Sequence, residues 1–495
     1  MQTASDKRQT VLGERDFSLE DQLVFARFSG DWNPIHINPL YARRCLTGQA
    51  VVHGIHMLLW ALECWAAQSG KDAGLTRLKV QFIRPAFLDE RLVCRSTEKS
   101  ASEVVLEVAG SAGQAVMIEF TVGSGSAVRP GIRAAAAVSA PTPALALGLE
   151  DLAARTGAWE IEAEEGLAER LFPASVGLWG DMLPVMLAHT SRLVGMECPG
   201  LHSLFSELEL SASDAGVSTP LGLFDYQVTH VERRFGLVSI KVAGAGFAGT
   251  VRAFLRPPPA RQADMASIKR VVAGNAFSNQ RALVVGGSRG LGELTAKLLA
   301  AGGADVCLTY HQGRAEAAEV VAEITSHGGK ASAVALDVRA PFDAGWRPPQ
   351  GWQPTHLYYF ATPFISSGQR FGFSAELLAS LCAYYLTGFA QLVGPLAASG
   401  LSTVLYPSTV FLDELPTDMA EYCAAKAAGE TLCQLLVRRH RGLRIDYPRL
   451  PRVATDQTAS LLPVGNQDPL PLMRDLLLTF AAGTSGRVTG ASSGT

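Results

Sequence analysis

Residues Phe28 to Ala42 read FSGDWNPIHINPLYA. In this stretch Asp31 stands five residues before His36, with Asn33-Pro34 between them, and His53-Gly54 follows at the head of an apolar run. A carboxylate and an imidazole at short range can share the movement of a proton. A glycine opening a helix offers a bare backbone N–H, at the positive end of the helix dipole, to an oxygen gathering negative charge. An isolated Asp would be read as a turn cap and an isolated His as a core residue. The whole string, followed by HG, points instead to addition or loss of water at an acyl thioester.

The bulk numbers set the frame. With 495 residues the chain is too long for a single core and implies several domains. A net charge of −3 offers no basic field for nucleic acid and no polybasic membrane patch. The eight cysteines are scattered, without a CxxC or a neighbouring histidine cluster, so neither a metal site nor a disulfide framework is expected. A reducing, cytoplasmic compartment fits this usage. The opening MQTASDKRQTVLGERDF is polar, unlike a signal peptide, and no apolar run reaches the ~18 residues of a membrane span.

Two stretches read as linkers: Gly123 to about Leu149, rich in Gly, Ala, Ser and Pro, and Pro257 to about Gln280, opening with PPPARQ. They leave three segments, 1–125, 148–257 and 281–495. In the first, an apolar helical run from Gly54 to Gln68 precedes the strand patterns LTRLKVQFIRPAFLDERLVCRS, VVLEVAG and QAVMIEFTVG. The second repeats this order weakly, with a run from about Leu178 to Val194 ahead of HSLFSELELSA, FDYQVTHVERRFGLVSIKVAG and GTVRAFLR. It has no counterpart of GDWNPIH, and its His189, His202 and His230 read as structural or rim residues. A helix ahead of an antiparallel sheet, twice over, predicts an α+β double hotdog. The third segment alternates RALVVGG, ELTAKLLAAGG, DVCLTY, AEAAEVVAEITSHGG and ASAVALDV, which is a βαβαβ pattern and predicts an α/β Rossmann domain with a parallel sheet.

FSGDWNPIH, with Ala42 six residues beyond the histidine, resembles the signature of the R-specific enoyl-CoA hydratases, the hydratase 2 or MaoC-like family. The resemblance implies that Asp31 and His36 form the catalytic dyad. It also implies that Asn33 orders the loop or the water, and that the Gly54 N–H is the oxyanion donor, with His53 at the helix entrance.

In the third segment GGSRGLG follows a strand and opens a helix, placing Gly286, Ser288, Arg289, Gly290, Leu291 and Gly292 in one loop. Glycines there let the backbone turn tightly and approach a pyrophosphate at the helix N-terminus. The second strand ends in Tyr310-His311-Gln312, with no acid to bind a ribose 2′-OH. Arg289 and Arg314 are available to a 2′-phosphate, so NADP(H) is the expected cofactor. Asp337-Val338 stand where an adenine contact belongs. Further on, Ser408 follows the apolar STVLY, and Tyr422 and Lys426 lie four apart on one helix face. An ammonium beside a phenol lowers its pKa, and the phenol can then hand a proton to a carbonyl oxygen.

These residues resemble the short-chain dehydrogenase/reductase family over 281–495, and within it the 3-ketoacyl-thioester reductases. The resemblance implies a Ser408–Tyr422–Lys426 catalytic set and places Ala361, Thr362 and Thr455 beside the cofactor. Three departures stand out: YFATP (Tyr359 to Pro363) replaces the family's NAG turn, Tyr385 stands where a relay asparagine is usual, and the chain closes on GRVTGASSGT.

Together the readings predict a bifunctional enzyme of acyl thioesters, carried on coenzyme A or an acyl-carrier protein. Reduction of a 3-ketoacyl group would be followed by loss of water from the (3R)-hydroxyacyl product. The opposite direction, hydration then oxidation, stays open, as does a hydratase whose reductase half is an inactive scaffold. A homodimer through the C-terminal domain is expected, with no nucleic-acid or membrane partner.

Overall fold

A computed structural model describes residues 9–69, 74–123, 133–135 (backbone only), 142–212, 222–340, 348–349, 351–365, 372–461 and 464–483. Much of the Gly123–Leu149 linker, the first eight residues and the terminal GRVTGASSGT lie outside these residues. The chain divides into two compact units, one built on Met1–Pro258 and one on Pro259–Ala459 with Val464–Thr495.

In the first unit, helix α1 (Leu19–Ser29) starts in a capping box. The Ser18 hydroxyl accepts from the Asp21 amide, and the Asp21 carboxylate accepts from the Ser18 amide. Gly30 ends it at φ +75°, a conformation glycine adopts without strain. The twice-repeated Asn-Pro then starts two single-turn helices. Asn33 caps α2 (Pro34–Ile37) and Asn38 caps α3 (Pro39–Ala42), with proline at the first helical position of each. Helix α4 (Gly54–Ser69) is buried along most of its length, as its nearly unbroken apolar sequence requires.

Ten antiparallel strands form the sheet of this unit. They are β1 (Thr10–Arg15), β2 (Gly74–Phe82), β3 (Leu92–Glu98), β4 (Glu103–Gly110), β5 (Gly113–Gly123), β6 (Thr156–Glu160), β7 (Ser203–Ala212), β8 (Leu223–Glu232), β9 (Leu237–Gly244) and β10 (Phe247–Leu255). Their spatial order is β1-β3-β4-β5-β2-β7-β10-β9-β8-β6, so each half supplies five strands, and the seam is β2 against β7 with Val80 opposite Leu208. Leu78 and Val80 point into the core, while Arg77 and Lys79 alternate outward to pair with Glu209 and Glu207 of β7. The second half has its own buried helix, α5 (Met182–Arg192). The two halves are also tied by Glu63 of α4, whose carboxylate accepts from the Ala174 and Ser175 amides at 2.8 Å each, at the start of the helix Pro173–Trp179.

The second unit holds a six-stranded sheet with every neighbouring pair parallel. Its strands are β11 (Arg281–Val285), β12 (Asp305–Tyr310), β13 (Lys330–Ala335), β14 (His356–Tyr359), β15 (Thr403–Leu405) and β16 (Arg444–Asp446). Their order, β13-β12-β11-β14-β15-β16, reverses direction between β11 and β14, where doubly wound sheets bind ligands. Successive residues of β11 enter different cores: Ala282 and Val284 pack with α6 (Gly290–Ala301), Leu283 and Val285 with the helices on the other face. The helical run Ala375–Ala398 is long and apolar enough to cross a membrane by length and composition alone. Its Leu381, Tyr385, Phe389, Leu392 and Val393 pack into the second of these cores.

Candidate active sites

The first site forms where α1 stops. Asp31 follows Gly30 and is buried, 2% exposed. Its amide donates to Ser29 Oγ at 3.1 Å, and its Oδ1 accepts from the Asn33 amide at 3.1 Å. The remaining carboxylate oxygen accepts from Ser191 Oγ at 2.7 Å, a side chain of α5 in the other half of the unit. Asn33 Nδ2 reaches the same region, donating to Gly195 O at 2.8 Å. A Cβ at Gly195 would stand 2.1 Å from Asp31 Oδ1, so only glycine leaves room for the carboxylate. Sequence reading placed Asn33 here; Ser191 and Gly195 carry no motif, and nothing in their segment announced them.

His36 Nδ1 donates to Val51 O at 2.8 Å, which leaves Nε2 as the free ring nitrogen. The ring stacks on His53 with centroids 3.8 Å apart. His53 is wholly buried. Gln22 Oε1 lies 2.9 Å from its amide and 2.8 Å from its Nδ1, and the Asp31 carbonyl lies 3.1 Å from its Nε2. Gln22, buried on α1, thus fixes the His53 ring, a role no sequence signal marked. Burial pushes Asp31 up and His36 down, and the charge of each partner opposes the shift of the other. His53 is held well below the ordinary imidazole range by burial and by its neighbour His36.

Ligand-type atoms of Asp31, His36 and His53 lie within 4.8 Å of one another, a grouping that spacing alone did not suggest. Both ring nitrogens of His53 already face hydrogen-bond acceptors, which suits a proton-handling cluster better than a metal centre. Gly54 heads α4, where first-turn amides have no intrahelical partner, and a Cβ on it would meet the Phe82 ring at 2.8 Å. His189, by contrast, is a satisfied core residue, accepting from Trp159 Nε1 at 2.7 Å and donating to Glu162 O at 3.0 Å.

The second site lies at the carboxyl ends of β11 and β14. Gly286 has φ +78° and Gly290 φ +59°. A Cβ on Gly292 would lie 2.2 Å from Gly286 O, whereas one on Gly290 would meet nothing within 4 Å. The loop is therefore folded tightly on itself and open on one side, a shape that fits a pyrophosphate at the head of α6. Ser288 is buried in it, Leu291 packs against the sheet, and Thr309 of β12 steadies it by accepting from the Gly286 amide at 3.1 Å. Arg289 lies 3.6 Å from Asp456, next to Thr455. Arg314 is exposed at the first position of α7 (Arg314–Ser326), just beyond Tyr310. Asp337 is gripped by Arg339 through bonds of 2.8 and 2.9 Å, while its neighbour Val338 is buried in the core. Ala361 and Thr362 follow β14, and Thr362 Oγ1 is 2.5 Å from the Tyr385 hydroxyl.

Tyr422 and Lys426 share one face of α8 (Ala420–Arg439). Burial drives the Tyr422 phenol up to about 12 and the Lys426 amine down to about 7. The ammonium donates to Pro407 O at 2.8 Å and stands 3.9 Å above the ring of Tyr385, a cation–π contact at the position where an asparagine was expected. Ser408 lies on the short strand Ser408–Thr409. Its hydroxyl donates to Glu430 at 2.6 Å, and Arg449 holds that carboxylate through two bonds of 2.9 and 2.8 Å. The hydroxyl that lowers the Tyr422 phenol against burial belongs to the next residue, Thr409, which accepts from the Phe411 amide at 3.2 Å. Alternation along the short strand Ser408–Thr409 sends the two side chains to opposite sides.

Two stretches match family models: residues 2–116 the MaoC like domain, and residues 280–344 the short chain dehydrogenase family. The chain therefore carries one stretch similar to a MaoC like domain and another similar to a short chain dehydrogenase, each less than half of its length. Among curated proteins, 100 residues are 35% identical to 3-hydroxyacyl-thioester dehydratase Y of Mycobacterium tuberculosis, covering 19% of this chain and 34% of that protein. A stretch of 63 residues is 49% identical to a 3-oxoacyl-[acyl-carrier-protein] reductase of Synechocystis sp., covering 13% of this chain and 26% of that protein. The chain thus spans about a third and about a quarter of these two relatives. Among solved structures, a short chain dehydrogenase from Burkholderia cenocepacia in complex with NADP aligns over 44% of this chain and 95% of its own, at 23% identity and a TM-score of 0.36.

Proposed function

We propose that the chain is a bifunctional acyl-thioester enzyme, an NADPH-dependent 3-ketoacyl reductase and an (R)-3-hydroxyacyl dehydratase, the latter also acting in reverse as an enoyl hydratase. The observation that carries the reading is the pairing of Asp31 with His36, whose Nδ1 is committed to Val51 O and whose Nε2 is left for substrate. In dehydration His36 Nε2 takes the C2 proton, and the Gly54 N–H holds the enolate oxygen. The carboxyl of Asp31, its pKa raised by burial, gives its proton to the departing C3 hydroxyl. Asn33 anchors the loop against the other half of the unit. That half, carrying its own helix and five strands but no dyad, makes the unit a double hotdog with one water-chemistry site. On this reading the domains run 1–125, 148–257 and 281–495.

In the reductase, the glycine loop with Ser288 and Leu291 would hold the dinucleotide's pyrophosphate. Arg314 and Arg289 would face a 2′-phosphate, and Tyr310, Asp337, Val338, Ala361, Thr362 and Thr455 would line the rest. NADPH, when bound, supplies the hydride. Tyr422 gives its proton to the carbonyl oxygen, Lys426 supports it electrostatically, and Thr409 orients the carbonyl in place of Ser408. The substrates are coenzyme A or acyl-carrier-protein thioesters. The 3R configuration common to both resembled families suits reduction followed by dehydration. The partly buried helix Ala375–Ala398 suits a homodimer through this domain, and the cysteine usage suits the cytoplasm.

The Lys426–Pro407 bond and the replacement of the relay asparagine by Tyr385 favour one alternative, a working dehydratase beside a silent reductase. Purified protein given 3-ketoacyl thioesters of several lengths on both carriers, with NADPH, separates the readings. Loss of NADPH absorbance and an enoyl product in the same tube support both activities. An enoyl-hydrating protein that never oxidises NADPH leaves only the dehydratase. Inertness in both assays leaves a non-catalytic scaffold.

A further inference from the structure

Arg256 follows the last strand of the first unit, and its side chain is 1% exposed. One nitrogen, Nη2, donates to Leu201 O at 2.9 Å, a carbonyl that lies 3.3 Å from Asn33 Nδ2. Its Nε and Nη1, the buried Tyr41 hydroxyl and His202 Nδ1 have no partner at normal hydrogen-bond distance, although Arg256 approaches the Tyr41 hydroxyl closely enough to lower its phenol. These atoms belong to one neighbourhood. The Arg256 amide donates to His202 O at 2.8 Å, the Arg256 charge pulls the Tyr41 phenol down against burial, and it pushes both His202 and His36 down. Tyr41 sits on α3, one helix beyond His36, and both Tyr41 and His202 are only partly buried, so the recess is not sealed. No carboxylate of the described residues pairs with Arg256.

A buried guanidinium with two unpaired nitrogens is destabilising, and folded proteins rarely leave such groups unsatisfied. Every open valence at Arg256 is a donor, the Tyr41 hydroxyl can donate, and His202 Nδ1 can donate in one tautomer. The group that completes all three is an anion.

We propose that Arg256, Tyr41 and His202 form an anion subsite beside His36, taking a carboxylate or phosphate oxygen of the substrate. The proposal rests on the dehydratase reading for the identity of that substrate, but not for binding itself. Two sources supply such an oxygen: a phosphate of the carrier arm, or a carboxylate on the acyl chain. Full-length protein and its Arg256→Met variant are compared in two ways. Thermal unfolding with inorganic phosphate or acetate reads the subsite directly. Tm should rise with one of these anions in the parent chain and not in the variant, and without anion the variant should be at least as stable as the parent.

Hydration of crotonyl-CoA, crotonyl-pantetheine and glutaconyl-CoA then identifies the source. A loss of about tenfold or more in kcat/KM on crotonyl-CoA alone among the two crotonyl esters assigns the phosphate. A comparable loss confined to glutaconyl-CoA assigns the acyl carboxylate. If Arg256→Met fails to fold, Tyr41→Phe takes its place with a smaller expected loss. Equal anion responses in parent and variant overturn the subsite. Anion-dependent stabilisation without hydration of any ester overturns the dehydratase reading and leaves the subsite standing.

Discussion

Asp31 and His36 sit where burial opposes their charged forms, and each keeps the other titratable. Replacing Asp31 by Asn should lower dehydration by roughly 10²- to 10⁴-fold while leaving NADPH oxidation intact. At Lys426, burial lowers the amine to about 7. An amine with a depressed pKa loses its proton as pH rises through that lower value. The reductase kcat/KM, which needs the ammonium, should therefore fall between pH 6 and 9 with a midpoint near 7; a profile flat across that range would remove Lys426 from the mechanism. The neighbouring hydroxyls should separate as well. Thr409→Ala should cut reduction by about tenfold or more, whereas Ser408→Ala, which loses the bond to Glu430, should lower Tm with a smaller effect on kcat. The reverse ranking would restore Ser408 to the substrate. This pair marks a limit of reading by spacing. Both residues lie at a fitting distance from Tyr422, and only the side to which each strand position points tells them apart. Asp31, Asn33 and His36 were legible as candidates because one continuous string carries them, and Gly54 because it opens the next apolar run. Arg256, Ser191 and Gln22 were not, since each reaches the site from a segment with no pattern of its own.

At the scale of elements, the first site depends on a segment 160 residues away. Helix α5 passes into a π-helical turn, Leu193–Glu197, and this stretch presents Ser191 and Gly195 to Asp31. Ser191→Ala should raise the Asp31 pKa further, because it removes a hydrogen bond that favours the carboxylate. The pH dependence of hydration should then move to higher pH, with about a tenfold loss at neutral pH. Gly195→Ala should be harsher, since its methyl would stand 2.1 Å from Asp31 Oδ1. Hydration unchanged by both substitutions would mean that the second half does not position the dyad. The strands and the long helices of both units were readable from apolar periodicity. The seam of β2 on β7 was not, because pairing between halves depends on edge register rather than on any local pattern.

At the scale of the molecule, the two proposed sites belong to two units, each with its own buried core. If the sites are chemically independent, Asp31→Asn and Tyr422→Phe proteins mixed together should recover the two-step conversion that neither performs alone. The most direct test gives the full chain and these two variants 3-ketobutyryl-CoA with NADPH, following NADPH absorbance and the enoyl product together. The parent should consume NADPH and form crotonyl-CoA, and Asp31→Asn should consume NADPH and stop at the 3-hydroxy ester. Tyr422→Phe should leave NADPH untouched while still hydrating crotonyl-CoA. A substitution at either site that silences both reactions would contradict the account.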